Sequence, residues 1–340
     1  MDKGAIFKAM NFRRVGNAIL LFISYHLSRW FKKPIVWAMP LAVSVEPTTS
    51  CNLRCPECPS GLRSFTRPTG MLQAELFQKI LDQISPYTAF LTFYFQGEPF
   101  LHPRFLDLVK QAKKKNIYVS TSTNAHYLSE SMAQKVLESG LDRMIISIDG
   151  TSQETYSAYR VGGKLDKVLE GTRNLVEARR KNNGKGPHIV FQFLVVKPNE
   201  HQIEEMKLLA NDMGVDELLF KTAQVYEFEN GHPLIPDNTK YSRYRKLPNG
   251  KWVLKNKLLN QCWKMWHSCV FTWDGTVVPC CFDKDASHPM GAIENTSFKS
   301  LWHGEAYTRF RQQILRSRDS IDICRNCTEG TKVWLQPGEE

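Results

Sequence analysis

Six short β-rich runs divide residues 42–221 into a regular alternation: Ala42–Glu46, Leu91–Phe95, Ile117–Thr121, Arg143–Ile148, His188–Val195 and Glu217–Lys221. Helical patterns fill the gaps, over Gln73–Gln83, Pro103–Lys115, Ser129–Glu138, Leu165–Arg180 and Glu200–Met213. A strand, a helix and a second strand close as a parallel crossover, so this order predicts an α/β sheet or barrel. In such folds ligands bind at the C-terminal ends of the strands.

The alternation stops near residue 225. Pro233, Pro236, Pro248, Asn249 and Gly250 mark a linker-like stretch. Beyond it, Val270–Pro279 carries two β-rich runs around Asp274-Gly275, which predicts a hairpin with a type I′ turn. One helix is predicted over Ser297–Ser317. Three parts follow: a basic amphipathic helix segment over 1–40, the barrel over 41–235, and a separate, small, cysteine-rich module over 236–335.

The formal charge of +11 is concentrated at the N-terminus, where residues 1–33 hold seven Lys or Arg against the single acid Asp2. The uncharged stretch between the basic ends, Val15–Ser28, is shorter than the roughly 20 residues a membrane span needs. Ile19, Leu20, Phe22, Ile23 and Leu27, with Trp30 at the boundary, suit either the membrane interface or packing against protein. Nucleic-acid binding is excluded on the ground that the charge is not interleaved with a reading motif.

Nine cysteines are an odd number for a disulfide framework, and they cluster tightly. In a reducing cytosol such groups mean metal. Cys51, Cys55 and Cys58 stand in CxxxCxxC spacing directly after the first strand. Three thiolates are one short of a closed zinc site, although a histidine would complete one; on a four-iron cluster they leave one iron open to a small molecule. Of the remaining six, Cys262 and Cys280 bracket the hairpin and Cys324 and Cys327 share a tight turn. Four thiolates from two distant pairs describe zinc or a fully ligated iron–sulfur cluster. Cys281 is an alternative to Cys280, because adjacent strand residues face opposite ways. Cys269 reads as a small buried hydrophobe.

The CxxxCxxC motif after strand one of a βα barrel resembles that of the radical S-adenosylmethionine superfamily. The resemblance implies a partial (β/α)6 barrel and a [4Fe–4S] cluster on Cys51, Cys55 and Cys58. It further implies one-electron cleavage of S-adenosylmethionine to methionine and a 5′-deoxyadenosyl radical that abstracts substrate hydrogen. Gln96-Gly97-Glu98-Pro99 resembles the family's Gly-Gly-Glu-Pro motif, whose backbone meets the cofactor ammonium. Thr121–Asn124 resembles its Ser/Thr-Asn-Gly turn, and Ser147-Ile-Asp149 lies where the family places a ribose contact. Arg160 resembles the arginine that pairs with the cofactor carboxylate. The sequence departs from the pattern at Glu57, often aromatic in the family, at Gln96, and at Ala125 in place of glycine.

Trp273–Cys281 with Ile323–Cys327 resembles the SPASM and twitch auxiliary domains, which implies an auxiliary [4Fe–4S] cluster on Cys262, Cys280, Cys324 and Cys327. Lys221, at the end of the sixth strand, is a candidate base or substrate anchor, or else an ordinary solvated lysine. The expected enzyme is an oxidoreductase acting on a peptide or protein side chain and fed by an electron donor such as flavodoxin or ferredoxin. It is expected to be cytoplasmic or peripheral at the inner membrane face. A polyol, aminocyclitol or lipid-linked substrate is the alternative within the family. A non-enzymatic iron–sulfur or zinc protein of electron transfer or assembly is the alternative outside it.

Overall fold

The computed structural model describes residues 3–330. Six parallel strands, β1 (Ala42–Val45), β2 (Phe90–Thr92), β3 (Tyr118–Thr123), β4 (Arg143–Ser147), β5 (His188–Val195) and β6 (Glu217–Thr222), lie side by side in chain order. The helices Ala74–Ile84, Phe105–Lys114, Glu130–Ser139, Leu165–Lys181 and Ile203–Asp212 connect them. This is the expected α/β partial barrel. The first connecting helix buries Phe77, Ile80, Leu81 and Ile84, a spacing that puts one apolar stripe on the sheet. Ser129 caps Glu130–Ser139 by accepting from the Met132 amide, and Gly140 ends it in the left-handed region.

The C-terminal cysteine-rich part joins the sheet of the barrel at the edge of β1. After the two-stranded ribbon β7 (Tyr244–Lys246) and β8 (Trp252–Leu254), strand β9 (Ser268–Phe271) pairs in parallel with β1. Strands β10 (Thr276–Val278) and β11 (Gly291–Ala292) follow antiparallel, giving one nine-stranded sheet with β11 and β6 at its edges. Val270 and Phe271 are apolar and extended, so adding them to the free edge of β1 both satisfies backbone groups and buries both side chains.

Two local expectations change. The β9–β10 hairpin exists, but its turn is not type I′. The Gly275 amide donates to the Thr272 carbonyl, and Gly275 takes φ 81° while Asp274 is outside the positive-φ set. Asp274 instead accepts from the Thr276 amide and the Thr272 hydroxyl, and a three-residue loop results. The helix expected over Ser297–Ser317 is two, Phe298–Trp302 and Glu305–Ser317, interrupted at His303-Gly304. The His303 and Gly304 amides fold back on carbonyls of the first helix, closing it before the second begins.

At the N-terminus, α1 (Lys3–Ala9) and α2 (Phe12–Phe31) pack on the barrel and the C-terminal part together. Tyr25 of α2 meets the rings of Trp263 and Trp266. Among the described residues no helix is long and apolar enough to cross a membrane.

Candidate active site

The loop after β1 carries Cys51, Cys55 and Cys58, and its shape comes from ordinary turn chemistry. The Cys58 amide donates to the Cys55 carbonyl, the Leu62 amide to that of Cys58, and Pro59 opens a short helix. All three side chains line one cavity of about 290 Å³ at the C-terminal ends of the strands. The same cavity is lined by Gly97, Glu98, Asn124, Ser147, Arg160 and Lys221. Residues from six strand ends, distant in sequence, thus converge on one space.

The thiols are held in surroundings that disfavour bare charge. Burial pushes Cys51 up to about 12 and raises Cys55 as well. The Arg160 guanidinium lies 3.9 Å from the Cys55 sulfur and offsets this only in part. Three soft sulfur donors gathered at one cavity are a set that a sulfur-ligated iron cluster fits. Among the described residues no three His, Cys, Asp or Glu side chains gather around a single ion.

Several residues that the resemblance places at the cofactor also hold the protein together. Glu98 is buried, with its carboxylate accepting from the Thr123 hydroxyl at 2.7 Å, the Asn124 amide at 2.7 Å and the Phe100 amide at 3.2 Å. It ties the end of β2 to the end of β3. Asp149 does not line the cavity; its buried carboxylate pairs with Arg160 Nε and accepts from the Leu194 amide at 2.7 Å. Asp149 therefore fixes Arg160 at the rim. Gln96 is likewise behind the wall, accepting from the Cys58 thiol at 3.8 Å. Ser147 does face the cavity, 3.4 Å from the Ser122 hydroxyl.

Gly97 shows why this position excludes side chains. It sits at φ 73°, where a methyl group would run into the Thr48 carbonyl and lie 2.8 Å from that of Ser50. Its amide donates to the Ser60 hydroxyl at 2.9 Å, joining the strand end to the cysteine loop. Gly97→Ala is expected to cost about 2–4 kcal/mol from strain plus clash. Thermal unfolding checks this: an unchanged melting temperature would show that the loop gives way freely.

Lys221 lines the cavity while staying exposed, and the protein packed around it lowers its pKa. The residues that sequence reasoning missed are Asn52, Tyr94, Gln192, Arg243 and Lys284. Asn52 accepts from the Asn124 side-chain amide at 2.7 Å, and the other four line the cavity. Gln192 was findable as the polar residue in the apolar strand β5. Arg243 and Lys284 come from loops with no local signal.

The distal cysteines form a second group. Burial raises the Cys280 thiol, with Cys281, Cys262 and Cys327 near enough to add to the rise, and Cys262 stands close to Cys324 in the same way. Arg318 is buried among them and donates to the Cys327 sulfur at 3.2 Å. Burial pushes Cys324 up to about 11 and Cys327 up to about 12, so this group too fits a metal cluster. Cys281 turns away toward Lys264, whose Nζ is 3.9 Å from its sulfur. Cys269 lies buried on β9, remote in role from either group, and burial raises its thiol.

Comparisons with known proteins agree with this layout. The family description "Radical SAM superfamily" matches residues 45–210, and "Iron-sulfur cluster-binding domain" (SPASM) matches 262–328. A tungsten-containing aldehyde ferredoxin oxidoreductase cofactor-modifying protein of Pyrococcus furiosus is 27% identical over 84% of this chain and 86% of its own. The PqqA peptide cyclase of Gluconobacter oxydans is 26% identical over 87% of this chain and 84% of its own. SuiB of Streptococcus suis bound to precursor peptide SuiA superposes with a TM-score of 0.62 at 15% identity, over 81% of this chain and 67% of that one. BtrN in complex with AdoMet and 2-DOIA gives 0.54 at 19%, over 86% and 94%. These two structures speak for the fold.

Proposed function

The chain belongs to the radical S-adenosylmethionine superfamily, with a SPASM domain and hence S-adenosylmethionine and [4Fe–4S] clusters as cofactors; from that premise we propose that it oxidatively modifies a side chain of a peptide or protein. When bound, the first cluster and S-adenosylmethionine supply a 5′-deoxyadenosyl radical that takes a hydrogen atom from a substrate carbon. Cys51, Cys55 and Cys58 are the proposed ligands of that cluster. Cys262, Cys280, Cys324 and Cys327 are the proposed ligands of an auxiliary one, which offers a place for the electron the substrate radical must lose. On this reading the barrel, 41–235, houses the chemistry and 236–335 the acceptor; the last residues of that span lie outside those described. A flavodoxin or ferredoxin is the proposed donor.

The chain's own residues prepare the site. Arg160, anchored by Asp149, holds a fixed cation beside Cys55 for the cofactor carboxylate. Glu98 fixes Asn124 and Gly97 at the cavity wall. Lys221, Arg243 and Lys284 present cationic groups at the same cavity, where a substrate carbonyl or carboxylate can be anchored.

The single observation carrying the peptide reading is the likeness to PqqA peptide cyclase along most of both chains. The test is anaerobic reconstitution, which should give about eight irons per chain, followed by turnover with deuterium-labelled candidate peptides. Label is expected in 5′-deoxyadenosine. Transfer from a polyol but from no peptide would overturn the substrate assignment.

A further inference from the structure

Helix α2 is packed the wrong way round for a helix of a water-soluble surface. The face it turns to the protein is largely polar: Arg14, Asn17, Ser24 and Ser28 are buried there beside Leu21 and Tyr25. Most of their polar atoms are satisfied there, Arg14 Nε being the exception. Arg14 donates to the carbonyls of Ala9 and Asn116 at 2.6 and 2.5 Å, and to those of Ser85 and Lys115 at 2.8 and 3.0 Å. Two of those carbonyls belong to the residues that close barrel helices, where a cation is favoured. Asn17 exchanges hydrogen bonds with the Met39 backbone, and Ser28 accepts from the Ile35 amide and the Trp266 indole. Such directional bonds fix the rotation of the helix about its axis.

What that rotation leaves outward is apolar. Phe12 is 99% exposed, Trp30 83%, Ile19 56%, Val15 42% and Ile23 41%, and Phe7 on α1 is 81% exposed. Residues 12, 15, 19, 23 and 30 fall on one helical stripe along a helix of about 30 Å. Burying polar groups while exposing this stripe lowers stability in water, so the arrangement makes sense only if something non-aqueous covers it.

Charge identifies the cover. Residues 3–45 contain no Asp or Glu, and Lys8, Arg13, Lys32 and Lys33 flank the stripe at its two ends. A second copy of the chain placed two-fold on this face would bring like cations together. Among the described residues no helix is long and apolar enough to cross a bilayer, but a helix lying flat with basic ends and an aromatic at the boundary matches an anionic lipid interface. We infer that α1 and α2 dock the enzyme on an anionic membrane surface, with Phe7, Phe12, Ile19, Ile23 and Trp30 entering the headgroup region.

The test uses the full-length reconstituted protein in flotation with two vesicle types, phosphatidylcholine alone and phosphatidylcholine with a quarter phosphatidylglycerol. Binding is expected to the anionic vesicles and to weaken with salt. Ile19→Ser/Ile23→Ser/Trp30→Ser should lower partitioning more than about tenfold while leaving iron content and 5′-deoxyadenosine release unchanged. Lys32→Gln/Lys33→Gln should lower binding to anionic vesicles by about tenfold or more. Failure of the unmodified protein to float with either vesicle overturns the inference. So does a dimer in ultracentrifugation that the triple replacement dissolves, which would assign the stripe to a second copy.

Discussion

Protein carrying Cys51→Ala, Cys55→Ala and Cys58→Ala is expected to release no 5′-deoxyadenosine above background when given dithionite and S-adenosylmethionine, a loss of at least ~1,000-fold. Replacing Cys324 and Cys327 instead should leave that release measurable and stop product formation. The asymmetry follows from where the two groups stand. The first three sulfurs line the cavity together with Gly97, Asn124 and Arg160, the groups proposed to hold the cofactor. Cys324 and Cys327 are buried around Arg318 and do not line that cavity. Each variant should retain about half the iron of the unmodified protein. Circular dichroism and thermal unfolding separate lost chemistry from lost fold. Equal loss of cleavage in the two variants would mean that the groups do not act separately, and the proposed division of roles would fail with it.

The sequence carried the barrel well because the signals for it are local. Apolar runs and helix periodicity depend on neighbours in the chain, and the six strands lie within a few residues of their expected bounds. The triplet Cys51, Cys55 and Cys58 was legible for the same reason, since its ligands are contained in eight residues. What was not legible depends on tertiary arrangement. Nothing in Val270-Phe271 says that these residues extend the edge of β1 rather than start a new sheet. Nothing near Asp149 says that its carboxylate pairs with Arg160. Arg243 and Lys284 reach the cavity from loops that have no pattern of their own. The N-terminal helix is the sharpest case. Its amphipathicity was visible, but a wheel of apolar and polar residues does not state which face is turned inward, and here the hydrogen bonds that Arg14 and Asn17 donate and Ser28 accepts turned the largely polar one inward.

Arg67→Met is expected to destabilise the protein by about 3–5 kcal/mol at neutral pH. Glu46, the residue following β1, has no exposed surface, and Arg67 donates to both of its carboxylate oxygens at 2.8 and 2.6 Å. The Trp273 amide adds a third bond at 3.2 Å, and Arg67 Nε donates to the Lys284 carbonyl at 2.9 Å. Asp285 accepts from the Thr66 and Arg67 amides, so the loop after the first cysteine group is fastened to the chain after Cys280 and Cys281. Methionine fills much of the same volume, and the penalty is that of a buried carboxylate left without its cation. Burial already raises Glu46 above its ordinary value, with Arg67 pulling it back only in part. Without Arg67 the folded-state pKa moves further up, away from the unfolded value of about 4.3. A group whose folded pKa lies above its unfolded one loses its stabilising contribution as pH rises through the folded value. The deficit of Arg67→Met should therefore be largest near pH 8 and shrink toward pH 5, where Glu46 takes up a proton and needs no partner. Urea unfolding of both proteins at the two pH values reads this directly. Glu46→Gln/Arg67→Met should recover much of the loss at pH 8, because it removes the stranded charge. A deficit of the same size at both pH values, undiminished in the double variant, would show that Arg67 acts through packing rather than by neutralising Glu46.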